Sequence, residues 1–363
     1  NSLTTPGRTQ SFVQDALAVS LQLKGISQMS KTVLNPLSQV RNFLSNTFVV
    51  GANGLLGRNM GIFESGQVLM ANAIDSPEQF RLLKAMQDEG AIGQNIQLSE
   101  VKNLLKEQTK SGVSAMLNTG GKLLRKTPVA GTTVNFMEKT YQLGDDYWKV
   151  VGALGEKARY GAALRKAGLD IENVNPAVQD ALVNAKIAKR KTSIAGTDFG
   201  DMLAVDVVKQ TMPVYSMVPE VIKSLRRIPV MGNFMAFPAE IIRTSGNIVN
   251  RSVREMGFKA TDELIAAMGE EQAKAFARQI RGIGAERLTG YISMATVAPG
   301  AMRNAAHDVL GITEAEEDLL EQNKPYWSEG NTMMYLEKPD ADLNAEAVDL
   351  SYMLPYEFML APA

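Results

Sequence analysis

The sequence predicts a mainly α protein, a multi-helix irregular bundle with a short C-terminal β-hairpin. Three observations carry that expectation. Helix formers dominate, aromatics make up only 6% of the chain and Met reaches 19 residues, which suits helices packed with small and flexible side chains. Apolar residues recur at three- and four-residue spacing between breaks marked by Pro, Gly and Asn. Near the C-terminus the period changes, and aromatic and aliphatic residues alternate around Pro and Asp punctuation.

The elements follow in order. Residues 10–29 form an amphipathic helix with Phe12, Ala16, Val19, Leu23 and Ile26 on one face. Asn35 is placed to cap a second helix whose first residue is Pro36, with Leu37, Val40, Leu44 and Phe48 as its apolar stripe and Arg41 beside it. Short helices are expected over 77–89 and 98–109. The longest pattern runs from Thr132 to Lys166, with Phe136, Tyr141, Trp148 and Tyr160 as core bulk. Helices over 176–190, 201–215, 260–268, 270–283 and 284–309 follow, and two strands within 332–336 and 347–356 make the hairpin.

At 363 residues the chain has room for several cores, and its breaks divide it into 1–192, 193–309 and an acidic tail, 310–363. It holds no Cys, which excludes a disulfide framework, a thiolate metal site and a Cys nucleophile. Its single His, His307, reads as a helix-end residue, since no nucleophile is advertised near it. The chain opens on Asn1 without a signal peptide or an initiator Met, as a processed product or a piece of a longer protein would. No charge-free apolar run is long enough to span a bilayer.

Charge is divided along the chain. Residues 308–363 hold thirteen carboxylates against two lysines, a net of −11, which leaves +10 on the rest. A basic body and an acidic tail can pair within one molecule, pair between subunits or face different partners.

Four chemistry-like patterns lose to plainer readings. Gly51, Gly54, Gly57 and Gly61 lack the preceding strand of a phosphate loop and read as a turn or a small-residue ridge between helices. Gly120-Gly121-Lys122 is followed by Leu123 where a magnesium-holding Ser or Thr belongs, and Met116 stands where the first glycine should. Lys186, Lys189, Arg190 and Lys191 could meet phosphate, but no aromatics interleave with them and cations also suit a helix C-terminus. Asp145 and Asp146 near Glu156 read as a solvated face. No catalytic, cofactor-binding or metal-ligating set is expected.

The stretch around which the chain seems organised begins Val218-Pro-Glu-Val-Ile-Lys-Ser-Leu-Arg226-Arg227-Ile-Pro and restarts at Phe237-Pro238-Ala-Glu-Ile-Ile-Arg243-Thr-Ser-Gly-Asn247. Pro238 reads as a helix start, and Ile241, Ile242, Ile248 and Val249 as its stripe. The earlier phrase Leu34-Asn35-Pro36-Leu-Ser-Gln-Val-Arg41-Asn42-Phe-Leu-Ser-Asn46 shares its Pro-x-x-x-x-Arg spacing. Arg and Asn beside an apolar seam can hydrogen-bond exposed carbonyls of a neighbouring element. These phrases, with the closing Asp349-Leu-Ser-Tyr-Met-Leu-Pro355-Tyr, resemble the large internal virion proteins of tailed phages: ejection-core subunits, C-terminal parts of virion-packaged RNA polymerases, and polyvalent proteins with the same helical module. The likeness touches 34–48, 216–250 and 325–356, and no polymerase motif accompanies it.

The resemblance implies a structural virion protein held inside the capsid in the ejection core or near the portal, delivered with the genome into the host envelope or cytoplasm. Its implied partners are portal, core or tail proteins and copies of itself, with packaged DNA and a membrane during ejection as further candidates. The alternatives are a non-catalytic carrier segment of a packaged polymerase and a membrane-active channel subunit.

Overall fold

The computed structural model describes residues 30–31, 33–56, 65, 77–93, 128–171, 174–189, 198–225, 236–329, 331–340, 342–352 and 354–356. The expected helix over 10–29, the one over 98–109, the Gly57 and Gly61 positions and the Gly120-Gly121-Lys122 phrase lie outside them. The chain is mainly helical with a two-stranded antiparallel hairpin near its C-terminus, as the sequence predicts. The helices are α1 (Pro36–Ala52), α2 (Pro77–Asp88), α3 (Pro128–Lys166), α4 (Pro176–Asn184), α5 (Phe199–Thr211), α6 (Glu220–Leu225), α7 (Ala236–Met256), α8 (Asp262–Met268), α9 (Glu270–Ile292), α10 (Ala298–Leu310) and α11 (Glu314–Asn323).

Two compact units are interleaved along the sequence. The first comprises Asn1–Phe43, Gly61–Leu154 and Thr192–Thr244; the second comprises Leu44–Met60, Gly155–Lys191 and Ser245–Ala363. The chain passes between them within α1, α3 and α7 as well as near Lys191.

In the first unit, α2 packs on α5, a helix buried from Phe199 through Val208. Asp198 caps α5 by accepting from the Asp201 amide at 2.6 Å, the expected use of Asp at a helix start. Lys209 at the other end of α5 pairs with Glu89 at 3.1 Å. The longest helix begins at Pro128, earlier than Thr132, because proline without its N–H is at no disadvantage at a first helical position.

In the second unit, α4 packs on α8, and caps start both: Asn175 accepts from Ala177 N and Thr261 from Leu264 N. Helix α4 stops at Asn184 rather than reaching 190. Lys186 turns with φ +57°, and Ile187 and Ala188 are drawn inside, so the lysines there follow the helix instead of complementing its end. The break expected at residue 283 is absent. Helix α9 runs unbroken to Ile292, and the irregularity falls at Ser293–Val297, a π turn just before Pro299. That proline cannot donate to the Ala295 carbonyl, which is why the ladder loosens there.

Thr313 and Glu316 form a reciprocal capping box at the start of α11. His307 sits in the last turn of α10, with Nδ1 3.4 Å from Glu317 Oε2 on α11. The hairpin pairs β1 (Met333–Tyr335) with β2 (Ala347–Asp349), Met333 opposite Asp349. Its strands are shorter than expected, since Leu350–Tyr352 winds into a 3₁₀ turn. Tyr335 closes a small core with Ile312 and Leu320.

The candidate functional site is a buried ion network

Two apolar stripes expected from sequence are not the buried faces. On α1, Val40 and Leu44 stand exposed while Ser45, Asn46, Val49 and Val50 are buried. On α7, Ile241 and Ile248 are buried but Ile242 and Val249 are exposed, and the inward positions are filled by Glu240, Thr244, Ser245, Arg251, Ser252 and Glu255. Helix α7 thus turns its charged side inward. Likewise Asp145, Asp146 and Glu156, read as a solvated face, are each more than nine-tenths buried. The reason is the same throughout: partners from other helices satisfy these charges, so water is not needed.

The largest such cluster lies in the second unit. The second-unit part of α3 supplies Glu156, Arg159 and Tyr160 on one face, α7 supplies Arg251 and Glu255 four residues apart, α9 supplies Arg287, and the turn after α1 supplies Asn53 and Gly54. Arg287 is fully buried and uses all five of its N–H donors. Nη1 and Nη2 grip Glu156 as a fork at 2.7 and 3.0 Å, Nη1 also reaches Asn53 Oδ1 at 3.0 Å, and Nε and Nη2 reach Glu255 at 3.1 and 3.2 Å. Tyr160 donates to Glu255 at 2.5 Å and accepts from Arg251 at 2.9 Å. Arg251 also donates to Glu255 at 2.8 Å and to the Ile187 carbonyl at 2.7 Å. Arg159 donates to the Asn53 and Gly54 carbonyls at 2.8 and 2.7 Å.

Burial alone would lift the Glu156 carboxyl, but the Arg159 and Arg287 guanidiniums outweigh it and hold it at about 2. Glu255 follows the same logic: burial opposes its charge, and Arg287 and Arg251 bring it below the usual carboxylate range. Burial pushes the Tyr160 phenol up, so it stays protonated and serves as a donor. Three guanidiniums thus face two carboxylates. Every ionised group is pinned by others in the set, and the arrangement positions α3, α7, α9 and the end of α1.

Close backbone approach makes the network reachable. A Cβ at Gly284, one turn before Arg287, would lie 2.6 Å from the Ser252 carbonyl and 2.7 Å from the Met256 amide of α7. One at Gly290 would lie 2.5 Å from Gly54 N. Gly51 and Gly54 are therefore part of a small-residue contact between helices, the reading preferred over a phosphate loop.

The first unit holds two smaller polar clusters. Arg243 donates to the Gln210 and Met212 carbonyls at 3.0 and 3.1 Å and pairs with Glu240, which itself accepts from Val214 N at 2.8 Å. Its guanidinium thus meets the carbonyls freed at the end of α5. Lys149 pairs with Asp145 at 2.7 Å, and Asp146 accepts from the Gly93 amide at 3.0 Å.

Burial chiefly, with Asp145 adding to it against the pull of Lys149, raises the Asp146 carboxyl from 3.8 to about 6. The folded chain therefore keeps a proton that the unfolded chain releases near 3.8, and stability falls as pH rises through that window. Asp146→Asn keeps an acceptor for Gly93 and never ionises. It is expected to raise stability by about 2 kcal/mol at about pH 8, with the gain gone below the unfolded carboxylate range, as chemical denaturation across pH will show.

The residues singled out in the sequence do not form one site. In the first unit, Asn35 accepts from Gln39 N at 3.2 Å through its carbonyl, Pro36 opens α1, Arg41 and Asn42 are half-buried, and Pro238 is exposed in the first turn of α7 near Arg243. In the second, Asn46 is buried, Asn247 half-buried, Asp349 accepts from Asn331 at 2.7 Å within the hairpin, and Pro355 is buried. Arg226 and Arg227 lie outside the described residues. Sequence reasoning missed Glu156, Arg159, Arg251, Glu255 and Arg287.

Fold and network together define a helical protein whose interior charges hold helix to helix. Among the described residues, no group of three or more His, Cys, Asp or Glu could hold a metal ion, and no helix is long and apolar enough to cross a membrane. Compared with family models, curated proteins and solved structures, the chain matches none.

Proposed function

We propose that this chain is a structural internal virion protein of a tailed phage, part of the ejection core or portal-proximal assembly and delivered with the genome. The observation that supports an assembling role is the placement of apolar side chains in the second unit. Val253, Ile292, Val297, Val309, Tyr326 and Leu336 are exposed, while Arg251, Glu255 and Arg287 occupy the interior. Exposed apolar side chains gain from association, and charges already matched inside the fold are not available to a substrate. The phrases around Pro36, Pro238 and Asp349 supply the kind of assembly by resemblance. The basic body and acidic tail suit contacts with copies of itself and with other virion proteins.

Quantitative mass spectrometry of purified particles tests this reading. A fixed number of copies per capsid, protected from added protease until the particle is opened, is the expected result. Absence from particles overturns it. Polymerase motifs encoded upstream of Asn1 would make the chain a carrier segment of a packaged polymerase instead, and liposome leakage by the purified chain would make it a membrane-active subunit.

A further inference from the structure

We propose that the apolar shoulder formed by α1 and α3 in the first unit is the docking surface for the chain's own N-terminal segment, residues 10–29, bound there as an amphipathic helix. Four large side chains make the shoulder. Val40 and Phe43 of α1 are 56% and 42% exposed, and Phe136 and Leu143 of α3 are 64% and 55% exposed. Phe136 and Leu143 are seven residues apart and lie on one stripe with Thr140 and Tyr147. The Phe43 ring stacks on Tyr147 with centroids 6.1 Å apart, so the two helices present one continuous apolar surface.

The occupant is identified by where the chain arrives. The Lys31 carbonyl accepts from Ser38 Oγ at 2.8 Å, and Val33 is wholly buried. The Val33 carbonyl accepts from Gln39 Nε2 at 2.8 Å, and the same amide reaches the Met137 carbonyl of α3 at 3.5 Å. One side chain thus ties the incoming chain, α1 and the residue after Phe136. Whatever precedes Ser30 is released beside the shoulder.

What precedes it has the matching pattern: Phe12, Ala16, Val19, Leu23 and Ile26 alternate spacings of four and three, a seam of apolar knobs on a single face. As a helix, residues 10–29 would extend about 30 Å, ample to cover the stripe from Phe136 to Tyr147, about 16 Å long. An isolated helix of this length is marginal in water and needs an apolar face to hold it. With so short a connection to Val33, the local concentration of the segment is on the order of millimolar, which favours the tethered copy over one from another molecule.

The absence of cysteine makes the test direct. Leu23→Cys combined with Leu143→Cys in the full chain should oxidise to an internal disulfide at least about tenfold faster than Leu21→Cys with Leu143→Cys, since position 21 lies on the opposite side of the same helix. Equal rates would overturn the docking, and disulfide-linked dimers in place of cross-linked monomer would assign the surface to a second copy and overturn it equally. Hydrogen exchange gives an independent reading in the otherwise native chain. Amides over 12–26 should be protected, and Phe136→Ser with Leu143→Ser should lower that protection about tenfold while α5 is unchanged. Exchange over 12–26 that is the same in both chains contradicts the proposal.

Discussion

Arg287→Met is expected to destabilise the second unit by about 3–5 kcal/mol, the cost of leaving buried charges without the partner that neutralised them. Arg287 satisfies Glu156 and Glu255 at once, and its fork to Glu156 is the shortest link between α9 and α3 in the network. A methionine fills much of the space but donates nothing. The two carboxylates would keep only Arg159 and Arg251, and Asn53 would lose the donor to its side-chain oxygen. Hydrogen exchange followed peptide by peptide is the measurement to make. Protection should fall in α7, α9 and the second-unit part of α3, while α2 and α5 keep theirs.

The same network fixes the acid side of the stability curve. Glu156 is held at about 2 against an ordinary value of 4.5, so its contribution is complete above 4.5 and is lost as pH falls through about 2. Arg287→Met removes much of that depression, so its acid transition should move to higher pH.

Gly284→Val is the second large effect, expected to cost about 3 kcal/mol. The first added carbon already meets the backbone of α7 at Ser252 and Met256, where neither side can swing away, and the branched side chain adds more. Two residues earlier in the same helix the sign reverses. A Cβ at Gly282 meets nothing within 4 Å, so Gly282→Ala should stabilise α9 by about 0.5–1 kcal/mol through propensity alone. Thermal or denaturant unfolding of the two variants side by side separates a glycine kept for space from one that is merely tolerated.

Much of the fold is legible because its signals are local. Pro36, Pro77, Pro128 and Pro176 each open a helix, Thr313 and Glu316 form a capping box, and the change of period near Met333 marks the hairpin. The network is not legible by the same means. Glu156 and Arg159 at three-residue spacing look identical whether they face water or the interior, because spacing reports a shared face and not its environment. On α7 the exposed Ile242, Val249 and Val253 drew the apolar stripe to the wrong side.

A usable signal was nevertheless present. Ile241, Thr244, Ser245, Ile248, Ser252 and Glu255 continue one helical phase, with Arg251 flanking it, so the charges extend a face that already holds two buried isoleucines. Gly284 and Gly290 bracket Arg287 on α9, marking where neighbouring backbones come close enough to bury a guanidinium.

The account rests on Glu156 and Arg287 acting as one unit that binds α3 to α9. A double-mutant cycle of Glu156→Gln and Arg287→Met, read by denaturant unfolding with local exchange, tests it most directly. The double variant should be more stable than the two single losses predict by about 2–3 kcal/mol, because removing both partners leaves no uncompensated charge between them. Losses that add to within about 0.5 kcal/mol would contradict it.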